Sequence, residues 1–242
     1  TWEMAAGGAA APATESLRVV LRDLWASRSF VSITVAVMLM NFIGYGIGIW
    51  TPAFLVRSHG MTLQSAGAVM GIVGGLAAVS GALASGWLSD ALAKRDPRWR
   101  LGVPLLGCLL TLPTGVAFYL MPAGDAWMIG SFALPRAIGF YLLFGFTAVW
   151  WTAPVYAVLA GLIVPHRRAT ALAVFNLVIT LIGGGLGPLA VGMLSDLLVP
   201  HFGNEALRWA LATGTAAGFL LGSLAFALAL RAYSQSLRRP AT

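Results

Sequence analysis

Two stretches of the chain repeat each other, GALASGWLSD at 81–90 and GPLAVGMLSD at 187–196. They begin 106 residues apart and agree at seven of ten positions, including the final Ser-Asp pair. Each stretch closes a long apolar run. A repeat of this kind indicates that the chain is built from two related parts, and the surrounding sequence indicates what those parts are.

The composition assigns most of the chain to a membrane. Of its 242 residues, 59% are hydrophobic and only 10% are charged, and the mean hydropathy is +0.84. A soluble domain carries about 25% charged residues, so most of this chain cannot face water. Apolar runs of about 20 residues are long enough to cross a bilayer as helices.

The apolar runs predict a linker, a six-helix transmembrane bundle and a short tail. Residues 1–29 are predicted to be a cytoplasmic linker and residues 234–242 a cytoplasmic tail. Thr62 is the predicted N-cap of the second span. The apolar segment 127–135 is too short to cross, so it either extends the third span or lies at the interface. The bundle, 30–233, is predicted to hold spans at about 30–56, 62–88, 101–121, 137–164, 168–194 and 205–232.

The linker contains a predicted amphipathic helix. Its apolar residues recur at helical spacing, which suits a helix that lies on the membrane surface. These residues are Leu17, Val20, Leu21, Leu24 and Trp25. The alternative is a helix that packs on a soluble partner.

The lysines and arginines orient the spans. Twelve of them fall in the linker, the loops after the second and fourth spans and the tail, whereas only Arg57, Arg136 and Arg208 fall on the other side. Because cytoplasmic segments carry the excess of cations, both termini are predicted to be cytoplasmic, in the inner or plasma membrane of a bacterial source. No basic run is interleaved with stacking aromatics, which argues against nucleic-acid binding.

This topology explains the repeat. The second span descends to the cytoplasm and the fifth rises from it, so the repeated stretch closes the middle helix of two triplets on opposite faces. That arrangement is an inverted-topology repeat. A second echo supports it, because Trp-Thr-Pro at 50–52 and Trp-Thr-Ala-Pro at 151–154 lie in the first helix of each triplet.

The stretch GWLSDALAKR (86–95) resembles the cytoplasmic loop signature of the major facilitator superfamily, Gly-x-Leu-x-Asp-Arg-x-Gly-Arg-Arg/Lys, from which Ala91 and Ala93 depart. Segments 49–67 and 153–196 resemble the spinster-like branch. The likeness runs from about Ser16 to Arg231 and matches only a C-terminal half. It implies an all-α membrane fold with six helices in an inverted 3+3 repeat. We expect the partner to be an N-terminal six-helix half that precedes this linker-like opening.

The resemblance also implies a conformational latch at the end of the second span. The carboxylate of Asp90 can accept hydrogen bonds from free N–H groups at the start of a neighbouring helix, here the fifth span near Arg168. Gly86 allows close helix approach, and Asp196 is predicted to act like Asp90 on the outer face. A solvated loop aspartate is the alternative. The predicted latch set is Gly86, Asp90, Lys94, Arg95, Arg168 and Asp196.

The resemblance points to the first and fourth helices as the lining of a substrate path. Polar and aromatic side chains without fixed charge lie there and on the fifth helix, and such a lining suits an amphipathic or lipid-like solute. Ordinary helix packing explains the same residues equally well. The candidate cavity residues are Asn41, Tyr45, Tyr141, Trp151, Thr152, Tyr156, Phe175, Asn176 and Thr180.

The placement of ionisable residues limits the chemistry. Every Asp, Glu and His falls in a linker, a loop or a span end, so the sequence offers no proton relay at the membrane midplane, no metal or cofactor site and no catalytic cluster. The sequence therefore predicts that this protein is not an enzyme.

The leading hypothesis is the C-terminal half of a secondary transporter that works by alternating access. Its predicted partners are the N-terminal half, membrane lipid and a small-molecule or lysolipid-like substrate, which the resemblance implies. Two alternatives stay open: a six-helix protein that acts as a dimer, and a small-molecule or drug efflux carrier of another major facilitator branch.

Overall fold

The computed structural model describes residues 16–124, 126–129 and 132–237. Nearly all of them are helical. The helices are α1 (Leu17–Ala26), α2 (Arg28–His59), α3 (Leu63–Val69), α4 (Gly75–Ala93), α5 (Trp99–Leu120), α6 (Ala137–Ala148), α7 (Thr152–Leu162), α8 (Arg168–Phe202) and α9 (Ala206–Leu237). Two short strands, β1 (Ala126–Ile129) and β2 (Phe132–Pro135), pair antiparallel.

Local sequence signals set the boundaries of the first helices. The Ser27 hydroxyl accepts the Phe30 N–H at the start of α2, and α2 ends at Gly60, whose φ of 66° is the left-handed conformation that glycine favours. The predicted N-cap at Thr62 is confirmed, since its hydroxyl accepts the Ser65 N–H at 3.1 Å. These caps place the turn between the first two spans at 60–62.

Five stretches of the described residues are long and apolar enough to cross a membrane. The last of them, Pro165–Leu237, has 73 residues, far more than the roughly 20 that one crossing needs. It contains α8 and α9, which are joined by a short 3-10 turn at Gly203–Glu205 and pack against each other. The chain therefore turns back at this point, and the two predicted spans 168–194 and 205–232 lie on α8 and α9.

Two of the predicted spans are interrupted helices. The second consists of α3, a π-helical turn at Met70–Gly74, and α4. The fourth consists of α6 and α7, separated at Val149–Trp151, where the backbone leaves the helical hydrogen-bond pattern. Both interruptions change the direction in which the following side chains point, which matters for the site described below.

The predicted extension of the third helix into 127–135 is wrong. The helix α5 ends at Leu120, and Pro122 and Gly124 follow, the latter with a φ of +105° that a helix cannot accommodate. The segment instead forms the β1–β2 hairpin, with Trp127 opposite Leu134. Its placement at the membrane interface stays a prediction.

The helix packing has the symmetry that the repeat predicts. In span numbers, the first span (α2) packs on the fifth and sixth (α8 and α9), and the fourth (α6) packs on the second and third (α4 and α5). The third and sixth, α5 and α9, pack on each other. Exchanging the two triplets converts the contacts of the first span into those of the fourth and leaves the contact of the third with the sixth unchanged. The contacts are thus related by the pseudo-two-fold axis of an inverted repeat.

The repeated stretch supplies two close helix approaches at backbone atoms. A β-carbon at Gly187 on α8 would meet the carbonyl oxygen of Phe42 on α2, and a β-carbon at Gly81 on α4 would meet the carbonyl oxygen of Phe146 on α6. Small residues at helix crossings allow backbones to come together, which is a main source of packing energy in membranes. The first glycine of each repeat therefore has the same role in both triplets.

An aromatic cluster fixes one end of the bundle. Phe54, Phe118 and Tyr119 pack edge to face or tilted, with ring centroids between 4.7 and 5.5 Å apart. The Tyr119 hydroxyl is buried and forms a 2.8 Å hydrogen bond with that of Thr51. Because a buried phenol needs a partner, this bond ties α5 to α2 as well as stabilising the cluster.

The predicted amphipathic helix forms α1 and packs against the protein. Val20 and Leu24 are buried, whereas Trp25 remains half exposed. An ion pair joins Asp23 to Arg167 before α8, with 2.9 Å between the carboxylate and the guanidinium. Such partly exposed pairs contribute about 1 kcal/mol or less, so burial of the apolar side chains holds α1 in place more than charge does.

Candidate functional site

A cleft lies between the first and fourth spans of the described chain. This central cleft has a volume of about 390 Å³ and is bordered by α2, the π-helical turn with the start of α4, and α6 with the residues that follow it. Its walls include Asn41, Tyr45, Met70, Tyr141, Trp151 and Phe219.

Four predicted cavity residues line the central cleft. Asn41 and Tyr45 lie one turn apart on α2, and Tyr141 and Trp151 face them from the fourth span. The Asn41 amide nitrogen donates to the Val37 carbonyl at 3.1 Å, so its oxygen remains able to accept a hydrogen bond. The Tyr45 side chain, which carries a hydroxyl group, is about half exposed.

The other five predicted residues lie outside the central cleft. Thr152 donates its hydroxyl proton to the Val149 carbonyl at 2.8 Å. The Tyr156 hydroxyl donates to the side-chain oxygen of Asn176 at 2.6 Å, which joins α7 to α8, and Phe175 is buried beneath Tyr156 with the two rings edge to face. Thr180 is exposed on α8. Tyr156, Phe175 and Asn176 thus form a separate contact between α7 and α8.

The lining of the central cleft is apolar and aromatic with a few neutral hydrogen-bonding groups. Its polar side chains are those of Asn41, Tyr45, Thr51, Tyr141 and Trp151, and no Asp, Glu, Lys, Arg or His borders it among the described residues. Small-molecule sites typically combine such an apolar surface with a small number of orienting polar groups. The central cleft can therefore hold an amphipathic molecule through its apolar part while a neutral donor or acceptor orients it.

The predicted set of cavity residues did not include the glycines that line the central cleft. Gly44 and Gly48 face it, and a β-carbon at either would meet no atom within 4 Å. Gly46 points the other way, where a β-carbon would lie 2.8 Å from the Gly187 carbonyl oxygen. The spacing contained this signal, because Gly44 and Gly48 are one turn apart on the face of Tyr45.

The π-helical turn is the second missed feature. Met70 and Gly74 belong to it and border the central cleft. A β-carbon at Gly74 would lie 2.5 Å from the Tyr141 hydroxyl oxygen, so the absence of a side chain leaves room for that phenol. Single π-helical turns within α-helices often mark functional sites. The glycine-rich sequence at 71–75 hints at an irregular helix but does not specify its type.

The predicted latch residues are not joined in this structure. Asp90 is exposed near the end of α4 and accepts no hydrogen bond or ion pair from the part of the chain that the structure describes. Arg168 donates its Nε proton to the Ile163 carbonyl at 3.0 Å. Lys94 and Arg95 are exposed just beyond α4. The latch stays a prediction.

The glycine and the second aspartate of the latch set have different surroundings. The Gly86 position would bring a β-carbon 3.4 Å from that of Ala153, so α4 and α7 are close there. Asp196 was expected at the end of the fifth helix, and that expectation is wrong. The helix α8 continues to Phe202 because Leu197, Leu198 and Val199 prolong the apolar run. Asp196 is exposed on the side of this helix.

Comparison with known proteins identifies the family. The Major Facilitator Superfamily matches residues 4–188, more than half of the chain. The chain belongs to this superfamily. An MFS-type efflux pump of Mycolicibacterium smegmatis is 36% identical over 210 residues, which cover 86% of this chain and 46% of the pump. The sphingosine-1-phosphate transporter of Mus musculus is 28% identical over 200 residues, which cover 74% of this chain and 34% of the transporter.

Solved structures agree on the fold. A bacterial homologue of the human lysosomal transporter Spinster, inward-facing and unoccupied, superposes with a TM-score of 0.73 at 24% identity, over 93% of this chain and 52% of that one. Its occupied form gives a TM-score of 0.62 over 89% and 50%. The chain thus spans about half the length of these solved structures, and about half or less of the length of the two relatives above. The predicted all-α fold of the superfamily and its spinster-like character are confirmed.

Proposed function

We propose that the chain is the C-terminal half of a secondary active transporter that moves an amphipathic or lipid-like organic solute by alternating access. The observation that carries the proposal is the uncharged central cleft between the first and fourth spans. In inverted-repeat carriers, solute sites lie near the bilayer midplane at the contact between repeats. The central cleft lies between α2 and α6, one helix from each repeat, which supports the proposal.

The proposed partner is an N-terminal six-helix half. The exposed apolar stripe of the second span supports a large partner, because Ile72 in the π-helical turn and Leu76, Leu83 and Trp87 on α4 are each more than 60% exposed. A lipid bilayer or a second copy of the chain would also cover such a stripe. The dimer alternative therefore predicts a symmetric contact through α4, whereas the half-transporter predicts a contact with different helices.

The solute class separates the two transport alternatives. A neutral cleft has no carboxylate to attract an organic cation, which favours a lysolipid-like solute over a cationic drug. The relatives include both a sphingosine-1-phosphate transporter and an efflux pump, so the efflux alternative has support from similarity.

Equilibrium binding tests the proposal. The purified chain in nanodiscs of zwitterionic lipid would be titrated with a fluorescent lysophosphatidylcholine, and unlabelled lysophospholipid or ethidium would be added as competitor. We expect saturable binding that lysophospholipid displaces and that Asn41→Leu weakens. Displacement by ethidium alone would favour a drug carrier, and the absence of saturable binding would contradict the proposed site.

The excess of cations predicts that both termini are cytoplasmic. A fluorescent protein fused to the C-terminus should therefore fluoresce in a bacterial host, and alkaline phosphatase fused there should be inactive. Fusion after Arg136, on the opposite side, should give the reverse result. Equal phosphatase activity at both positions would contradict the orientation.

The latch predicts that Asp90→Asn lowers transport without changing the stability of the chain. Because Asp90 is exposed without a described partner, its neutralisation should leave the unfolding temperature of the chain unchanged. Transport by the complete carrier should fall several-fold if the carboxylate binds a helix start in one access state. The matched control is Asp96→Asn, and transport unaffected by Asp90→Asn would remove the latch.

A further inference from the structure

We propose that a basic cavity between the start of α5 and the end of α9 binds the phosphate headgroup of an anionic membrane lipid. The cavity has a volume of about 370 Å³ and is lined by Arg98, Leu230, Arg231, Ser234 and Gln235. It shares no lining residue with the central cleft. The site goes beyond the proposed transport function and does not depend on it.

The positive charge of the basic cavity is only weakly balanced by the protein. Arg231 is exposed and has no ion pair or hydrogen bond within the described residues. Arg98 Nε lies 4.0 Å from the Asp96 carboxylate, and both side chains are more than 40% exposed. Such a pair contributes little, so both guanidinium groups remain available to an anion. Arginine matches phosphate with two parallel hydrogen bonds.

Neutral groups complete the anion-binding surface. Gln235 is exposed next to Arg231 along the helix, and its side-chain amide supplies two further donors. The Ser234 hydroxyl donates to the Leu230 carbonyl at 2.7 Å and can turn to donate to a ligand instead. A phosphate has several acceptor oxygens, which these donors can satisfy from two helices at once.

An exposed apolar stripe on α9 distinguishes a lipid from a free anion. Leu221, Leu224 and Leu228 are each more than half exposed, and Arg231 and Gln235 continue the same face at helical spacing. A lipid with its headgroup at Arg231 would lay an acyl chain along these leucines. Inorganic phosphate could use only the cavity. The stripe and the charge together therefore specify an amphipathic anion.

The predicted cytoplasmic position of the basic cavity agrees with this ligand. The basic cavity adjoins the most basic connection between spans, which carries Lys94, Arg95 and Arg98 and is followed by Arg100 in the first turn of α5. Basic pockets between transmembrane helices on this side bind acidic headgroups. A lipid there would bridge the third and sixth spans, α5 and α9, which pack on each other at the pseudo-symmetry axis.

Lipid titration tests the site. The delipidated chain in neutral detergent would be titrated with dioleoylphosphatidylglycerol and, separately, with dioleoylphosphatidylcholine, and bound lipid would be counted by native mass spectrometry. We expect one preferred phosphatidylglycerol per chain and an affinity about tenfold lower in Arg98→Gln/Arg231→Gln, since each arginine near a lipid surface contributes substantially. The control Arg18→Gln/Arg22→Gln removes the same charge from α1 and should bind as the wild type does.

Three outcomes would overturn the proposal. Equal affinity of the wild type and the double variant would exclude the site, and an equal loss in the α1 control would show only nonspecific attraction. If excess inorganic phosphate displaced the bound lipid as effectively as unbound phosphatidylglycerol does, the leucine stripe on α9 would not contribute to binding. If the double variant aggregates, the single variant Arg231→Gln is titrated with the same lipids instead. Its folding should be unaffected because Arg231 is exposed.

Discussion

Replacement of Gly187 by alanine destabilises the chain, whereas the same replacement at Gly185, two residues earlier on α8, does not. A β-carbon at Gly187 would meet the Phe42 carbonyl oxygen and would lie 2.9 Å from the Gly46 nitrogen, both of them backbone atoms of α2. A β-carbon at Gly185 would meet nothing within 4 Å. Inserting a methyl group into a packed contact lowers the free energy of unfolding by about 1–3 kcal/mol. The loss is not relieved here, because backbone atoms of two packed helices cannot move aside as the end of a side chain can.

The inverted repeat makes the same prediction for the other triplet. Gly81→Ala should destabilise the contact of α4 with Phe146 on α6, and Gly75→Ala on α4 should be harmless because its surroundings are open. Thermal unfolding in micelles, followed by tryptophan fluorescence and by elution profile, measures all four variants. Lower unfolding temperatures are expected for Gly81→Ala and Gly187→Ala only. Wild-type behaviour of either one would contradict the symmetric packing.

Replacement of Gly48 by tryptophan should abolish solute binding while leaving the chain folded. Gly48 borders the central cleft, and its position has no atom within 4 Å of a β-carbon. An indole there would extend into the 390 Å³ that the solute is proposed to occupy. We expect at least a tenfold loss of lysophospholipid affinity, and a corresponding loss of transport by the complete carrier.

Two further tryptophan variants separate blockage from misfolding. Leu197→Trp places the same ring on the exposed face of α8, outside the central cleft, and should bind solute as the wild type does. Gly46→Trp should fail to fold, because that glycine packs on Gly187. Wild-type affinity in folded Gly48→Trp would show that the solute does not use the central cleft.

The sequence predicted the helices and their symmetry because long apolar runs and the repeated stretch at 81–90 and 187–196 are strong signals. It did not predict where helices are interrupted. The sequence predicted Tyr141, Thr152 and Tyr156 as cavity residues on one continuous fourth span, but the break at Val149–Trp151 turns α7 relative to α6. Tyr141 consequently faces the central cleft, whereas Tyr156 faces Asn176.

The glycines show the same limit. Gly44, Gly46 and Gly48 are alike in sequence, yet two border a cleft and one packs on α8. Helical spacing separates the two faces, but which face meets a neighbour depends on tertiary packing that local sequence does not specify. The paired strands β1 and β2 were missed for a similar reason, since apolar content alone does not distinguish a short strand from a helix end.

Cysteine labelling in the presence of solute tests the central claim, that the cleft between α2 and α6 is the solute path, most directly. Gly48→Cys would be treated with a maleimide, with and without lysophosphatidylcholine; native Cys108 is buried, which keeps the background low. We predict that the solute protects Gly48→Cys and leaves the exposed control Ala123→Cys, which lies outside both the central cleft and the α9 stripe, labelled as before. Equal labelling of Gly48→Cys with and without solute would contradict it.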